Sequence, residues 1–116
     1  MEIKGIVFAG TATPNAEATK AFFGKVLSVD PEPLEGFPAH VFHFPDGSSF
    51  GVVHVPSDEM ASRPIGFKVD DLDAAIAELT EAGIELGSIG ESPIGRYVHF
   101  NAPDGHLYEL VETSER

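Results

Sequence analysis

One carboxylate and a few imidazoles hold most of the chemistry this sequence could perform. Glu109 lies in NAPDGHLYELVE, residues 101–112, just after an Asp104-Gly105 turn. Alternation along a strand gives it one face with Leu107 and Val111, and gives Tyr108 and Leu110 the other. An isolated ionised carboxylate in a dry interior costs several kcal/mol, so Glu109 must be paired, hydrogen-bonded, protonated or open to a wet cleft. Four roles are open to it. It can line a cleft as a hydrogen-bonded structural residue; it can take Arg96 as a fixed countercharge; it can take His99 as a partner; or it can bind a cationic ligand or act as a general base. The last role requires a raised pKa and a substrate proton within hydrogen-bond reach.

The other reactive side chains form weaker patterns. In HVFH, His40 and His43 are three apart, which on a strand sends them to opposite faces and rules out a two-histidine clamp there. His106 follows a turn and is expected in solvent. GSIGESPIGRY, residues 87–97, contains three glycines but no lysine and no strand-to-helix setting, so it is expected to be a flexible connector beside the cleft and not a phosphate loop. The serines lie in turn or linker contexts, without the sharp strand-to-helix turn of a nucleophile. With no cysteine in the chain, disulfides and thiolate chemistry are excluded, and any metal ligands must be His, Asp or Glu.

The elements that must position these groups come in two similar sets. IKGIVFAGTA is a short apolar run suited to a buried strand. In TPNAEATKAFFGKVL the period changes: Ala18, Phe22 and Val26, with Phe23 and Leu27, recur at helical spacing, with Thr13 as the expected N-cap and Pro14 as the first helical residue. HVFHFPDGSSFGVVHV then reads as two strands joined by a Pro-Asp-Gly turn. After the polar connector PSDEMASR the order repeats, with PIGFKVD as strand, DLDAAIAELTEAG as helix and GRYVHFNAPDGHLYELVE as a second hairpin. In the second helix Leu72, Ala75, Ile76 and Leu79 form one stripe, Asp70 or Asp71 can cap the start, and Gly83 ends it. Asp46 and Asp104 of the two turns stand 58 residues apart, half the chain, as an internal duplication requires. The expected layout is a single domain over 1–116, with module 1 at 3–55, a connector at 56–62 and module 2 at 63–113.

At 116 residues, 42% hydrophobic and 22% charged, the chain has the size and composition of one globular domain with its own core. Seven basic residues against 19 acidic give a formal charge of −12, the wrong sign for neutralising phosphates, so nucleic acid is excluded as a partner and a cationic ligand would be attracted. No run of 18 apolar residues is present to cross a membrane, and MEIKGIVFAG lacks the basic head and cleavage site of a signal peptide. A cytoplasmic, soluble protein is the expectation.

Three segments, AEATKAFFGKVL, FKVDDLDAAIAELTEAGIEL and GRYVHFNAPDGHLYELVE, resemble the vicinal oxygen chelate superfamily, which includes glyoxalase I, extradiol dioxygenases and bleomycin-resistance proteins. The resemblance implies an α+β fold of two tandem βαβββ modules forming a curved mixed sheet around a cleft, commonly in a homodimer. Metal-using members place four ligands on that cleft. The positions that match here are Phe8, Gly51, Pro64 and Glu109, of which Glu109 alone carries a ligand side chain. No cofactor is therefore expected. If a divalent metal is present, Glu109 and His54 are its expected ligands, His54 being recruited by a bulge. The resemblance implies a small-molecule-binding protein of the bleomycin-resistance type, with Phe8, Gly51, Pro64, Arg96, His99 and Glu109 lining a cleft for a cationic or aromatic ligand. A metal-dependent isomerase or lyase of the glyoxalase I type, and a non-metal enzyme using Glu109 as general base, are the alternatives.

Overall fold

Each Pro-Asp-Gly turn closes a hairpin through the same two devices. Gly47 and Gly105 adopt φ of +89° and +83°, a region a side chain disfavours. The aspartate before each glycine then accepts the N–H two residues on, Asp46 from Ser48 at 2.9 Å and Asp104 from His106 at 3.0 Å. Asp104 also accepts the Tyr108 hydroxyl at 2.7 Å, and that bond, with the His106 N–H, holds its carboxyl below the usual carboxylate range.

Around these turns the computed structural model, which describes residues 1–113, is an α+β fold that runs strand, helix and three strands twice. The first module comprises β1 (Gly5–Thr13), α1 (Ala16–Leu27), β2 (Glu32–Pro33), β3 (Ala39–His43) and β4 (Ser49–His54). After a single 3-10 turn at Asp58–Met60, the second comprises β5 (Ile65–Lys68), α2 (Leu72–Glu81), β6 (Gly90–Ser92), β7 (Gly95–Asn101) and β8 (Leu107–Thr113). Within the first the strand order is β2-β3-β4-β1, with β1 parallel to β4. Within the second it is β5-β8-β7-β6, with β5 parallel to β8. The chain divides into two compact units, residues 8–63 and residues 1–7 with the stretch from Pro64 onward. The N-terminal residues are tied to the second module by the Lys4 N–H, which donates to the Lys68 carbonyl at 2.8 Å, and by the terminal ammonium, 2.6 Å from Glu78. Among the described residues no helix is long and apolar enough to cross a membrane.

The second module builds its core as its helical stripe predicts. Leu72 and Ala75 are buried, Ile76 and Leu79 pack beside them, and the sheet meets them with Phe67, Val98, Phe100 and Leu110. Enclosing a side chain such as Leu72 stabilises the fold by about 1.5–3 kcal/mol. Asp71 caps α2, its carboxylate accepting the Ala74 N–H at 3.1 Å, and the turn at Gly83 ends the helix with Ile84 N–H donating to the Leu79 carbonyl at 3.0 Å.

Three local expectations are corrected. Thr13 is not the cap of α1: it is the last residue of β1, opposite His54, and its carbonyl accepts the Val55 N–H, so its backbone is committed to the sheet. Helix α1 starts at Ala16, behind Asn15. The stripe of α1 is also turned, since Phe23 packs on Phe50 at a ring separation of 4.8 Å while Phe22 and Val26 are 60% and 58% exposed. Finally, the segment expected to be a connector over 87–97 supplies strand β6, with Gly90 opposite Tyr97 and Ser92 opposite Gly95.

Candidate functional site

Because Phe67, Val98, Phe100 and Leu110 face α2, alternation commits their neighbours to the other face of the second module's sheet. On that face Glu109 stands opposite His99 in the antiparallel β7–β8 pair and opposite Gly66 in the parallel β5–β8 pair. Tyr97 lies opposite Val111, and so does Lys68 from the other side. The sequence thereby gathers a carboxylate, an imidazole, a phenol and an ammonium on one surface.

Glu109 is buried, at 8% exposure, and its Oε1 accepts a hydrogen bond from His99 Nε2 at 2.8 Å. The His99 side chain is 38% exposed, so the imidazole stands between the carboxylate and solvent. Tyr97 lies beside that ring, with centroids 5.2 Å apart. Gly66, itself buried, lies on the opposite flank of Glu109 and contributes no side chain there. This geometry provides a fixed acceptor and a partly accessible imidazole, which suits hydrogen bonding to a ligand or transfer of a proton through His99.

Arg96, expected as a possible countercharge, is on the opposite face. It donates to Glu112 from Nε at 3.1 Å and to Asp73 from a terminal nitrogen at 3.2 Å. Glu112 also accepts the Leu72 N–H at 2.9 Å, at the start of α2. The Arg96 hydrogen bond, then the Leu72 one, hold the Glu112 carboxyl below its ordinary value. Arg96 therefore ties helix to sheet and does not share a surface with Glu109. Pro64 precedes β5, and the residue whose backbone lies beside Glu109 is Gly66.

In the first module, Phe8 pairs with Ser49 and Gly10 with Gly51 across β1 and β4. The Phe8 ring lies over both glycines, close enough that a Cβ built on Gly10 or Gly51 would come within 3.1 or 3.2 Å of it. His54 takes the other face with Phe50 and Val52, towards α1. Sequence reasoning missed Tyr97, Lys68 and Gly66. Tyr97 was recoverable as the alternate neighbour of His99, whereas Lys68 and Gly66 needed the β5–β8 register.

A divalent ion in a catalytic site takes about three protein donors. On the second module's sheet face the donors beside Glu109 reduce to His99, and the two are bonded to each other. Among the described residues no group of three or more His, Asp or Glu gathers as a ligand set.

A model of the Glyoxalase/Bleomycin resistance protein/Dioxygenase superfamily matches residues 5–110, and the chain belongs to that family. Over 52 residues it is 40% identical to the uncharacterized protein YaeR of Escherichia coli, a match covering 43% of this chain and only 40% of that relative. Its fold is similar to that of methylmalonyl-CoA epimerase from Mycobacterium tuberculosis, with a TM-score of 0.80 at 17% identity over 97% of this chain and 90% of that one. A Streptomyces coelicolor methylmalonyl-CoA epimerase variant in complex with 2-nitronate-propionyl-CoA superposes with a TM-score of 0.75 at 18% identity, over 98% of this chain and 100% of that one. At these identities the likeness shows the fold.

Proposed function

We propose that the protein binds a small molecule on the sheet face of its second module that presents Glu109 and His99, without a metal ion. The observation that carries this reading is the 2.8 Å hydrogen bond between them, which fixes a buried carboxylate behind a half-exposed imidazole. Tyr97 adds an aromatic surface beside the imidazole, suited to a planar ligand. A cationic group would be drawn by the net charge of −12 and held by Glu109 through charge-assisted hydrogen bonds. The filling of the first module's face by the Phe8 ring, where chelating members carry ligands, supports the non-metal reading.

The experiment is a metal titration by calorimetry with Zn, Ni, Co and Mn, followed by a thermal-shift screen of cationic and aromatic compounds, each on wild type and Glu109→Gln. Stabilisation by a cationic or aromatic compound that Glu109→Gln abolishes is the expected result. Tight stoichiometric uptake of a metal that the same substitution abolishes overturns the reading.

The same pair favours a second reading, proton transfer by Glu109. His99 connects the buried carboxylate to the surface, so a proton taken from a ligand has a route to solvent. This predicts deuterium incorporation from D2O into a bound compound with an acidic C–H, seen with wild type and absent with Glu109→Gln.

A further inference from the structure

The first module carries a pocket of about 330 Å³ on its α1 side, away from Phe8 and Gly51. Register explains its floor. His40 pairs with Val52 across β3 and β4 and with Pro33 across β2 and β3. The His54 N–H donates to the Pro38 carbonyl at 2.8 Å, which puts His54 diagonal to His40 on the same face, with Val52 beside both. One wall is Phe37, set by a turn in which its N–H donates to the Leu34 carbonyl at 3.1 Å and its carbonyl accepts from Ala39 at 2.8 Å. The other wall is the first turn of α1, ending in Lys20.

The chemistry of the lining selects a ligand class. Phe37, Pro33, Pro38 and Val52 give an apolar seat for a flat ring. Around it stand an ammonium and two imidazoles, all of which can donate. The single carboxylate, Glu17, is 88% exposed and lies 3.4 Å from Lys20, a surface pairing of the kind that contributes little and is readily exchanged for a ligand. Asn15 makes no side-chain cap on α1, so the N–H groups at the helix start add their partial positive charge without that competitor.

We propose that this pocket binds a small planar carboxylate, with its ring against Phe37 and the prolines and its carboxylate towards Lys20, His40 and His54. The site is independent of the Glu109 face: it lies in the other module and selects the opposite charge.

The test titrates the full chain with benzoate, and in parallel with benzylammonium, following backbone amide and imidazole NMR signals. Benzoate is expected to shift His40, Val52 and His54 in wild type and equally in Glu109→Gln. Lys20→Glu should weaken binding about fivefold or more, the value of one screened charge contact, and Phe37→Ala about tenfold through the lost ring contact. Both residues are partly exposed, and retained signal dispersion shows that the variants fold; Lys20→Gln serves if Lys20→Glu does not. The proposal is overturned if these signals do not move, if benzylammonium binds as tightly as benzoate, or if the Lys20 variants bind like wild type. A loss in Glu109→Gln as well would show that the ligand sits on the other face, and would equally overturn it.

Discussion

His99 and Glu109 face each other directly across β7 and β8, with Nε2 and Oε1 2.8 Å apart. A buried carboxylate in a strand is thus satisfied by its cross-strand neighbour, while the nearby arginine serves another face. Removing the imidazole strands the acid. His99→Ala is expected to cost about 1–3 kcal/mol in urea denaturation, the penalty for leaving a buried acceptor unpaired. Glu109→Gln keeps the shape and loses the charge, so it should cost less. A double-mutant cycle should return a coupling of at least about 0.5 kcal/mol, and additivity would show that the bond does not form in solution.

Two glycines of the β6–β7 hairpin are expected to respond differently to one added methyl. At Gly95, with φ of +153°, a Cβ would collide with the Glu112 carbonyl oxygen and sit 2.9 Å from the Thr113 Cα, both on the backbone of β8. Gly95→Ala should therefore destabilise by more than about 2 kcal/mol. At Gly90 the collision is with the tip of the Tyr97 ring, which can turn away. Gly90→Ala should leave the fold nearly intact but move Tyr97 off His99, seen as a change in the His99 imidazole NMR shift. An unchanged shift would mean that Tyr97 does not position that ring.

Glu112 predicts an acid limb in the stability curve. Its folded pKa is depressed by the Arg96 and Leu72 hydrogen bonds. The sign follows by linkage: stability from this group is fully present above the unfolded glutamate value of about 4.3 and is lost as pH falls through the lower folded value. Wild type should lose stability across that window, and Glu112→Gln should lose less. At neutral pH the variant should be weaker by about 1–2 kcal/mol, the scale of a lost helix-start acceptor. Parallel pH dependences in the two proteins would exclude this origin.

The sequence carried most of the fold. The spacing of Leu72, Ala75, Ile76 and Leu79, the two Pro-Asp-Gly turns and their 58-residue offset lead to paired modules, because periodicity and turn chemistry are local signals. The alternation that set Glu109 against Tyr108 also held in the structure. Partners across strands were less accessible. Arg96 and His99 are both open as partners of Glu109 in the sequence, and the β7–β8 register together with the position of α2 separates them. The same limit hid β6, whose Gly90, Glu91 and Ser92 have little strand propensity and are held by pairing with β7. Gly66, the neighbour of Glu109 on β5, is likewise found only from the β5–β8 register, two residues beyond Pro64.

Helix α1 supplies the sharpest contrast between pattern and packing. Phe22 and Phe23 are adjacent and equally apolar, so hydropathy cannot distinguish them, and a helical wheel admits either as the inward residue. The sheet decides, because Phe23 meets Phe50 on β4 at 4.8 Å while Phe22 touches Phe23 edge-on and stays 60% exposed. Phe23→Ala removes the ring that joins helix to sheet and should cost about 2 kcal/mol or more in thermal or urea unfolding. Phe22→Ala should stay within about 0.5 kcal/mol of wild type at dilute concentration, as exposed positions do. A loss at Phe22 that appears as the protein is concentrated and disappears on dilution would place that ring in contact with a second copy of the chain, since a subunit interface makes apparent stability rise with concentration. A large loss independent of concentration would instead mean that α1 packs through Phe22, reversing the helix face assigned here.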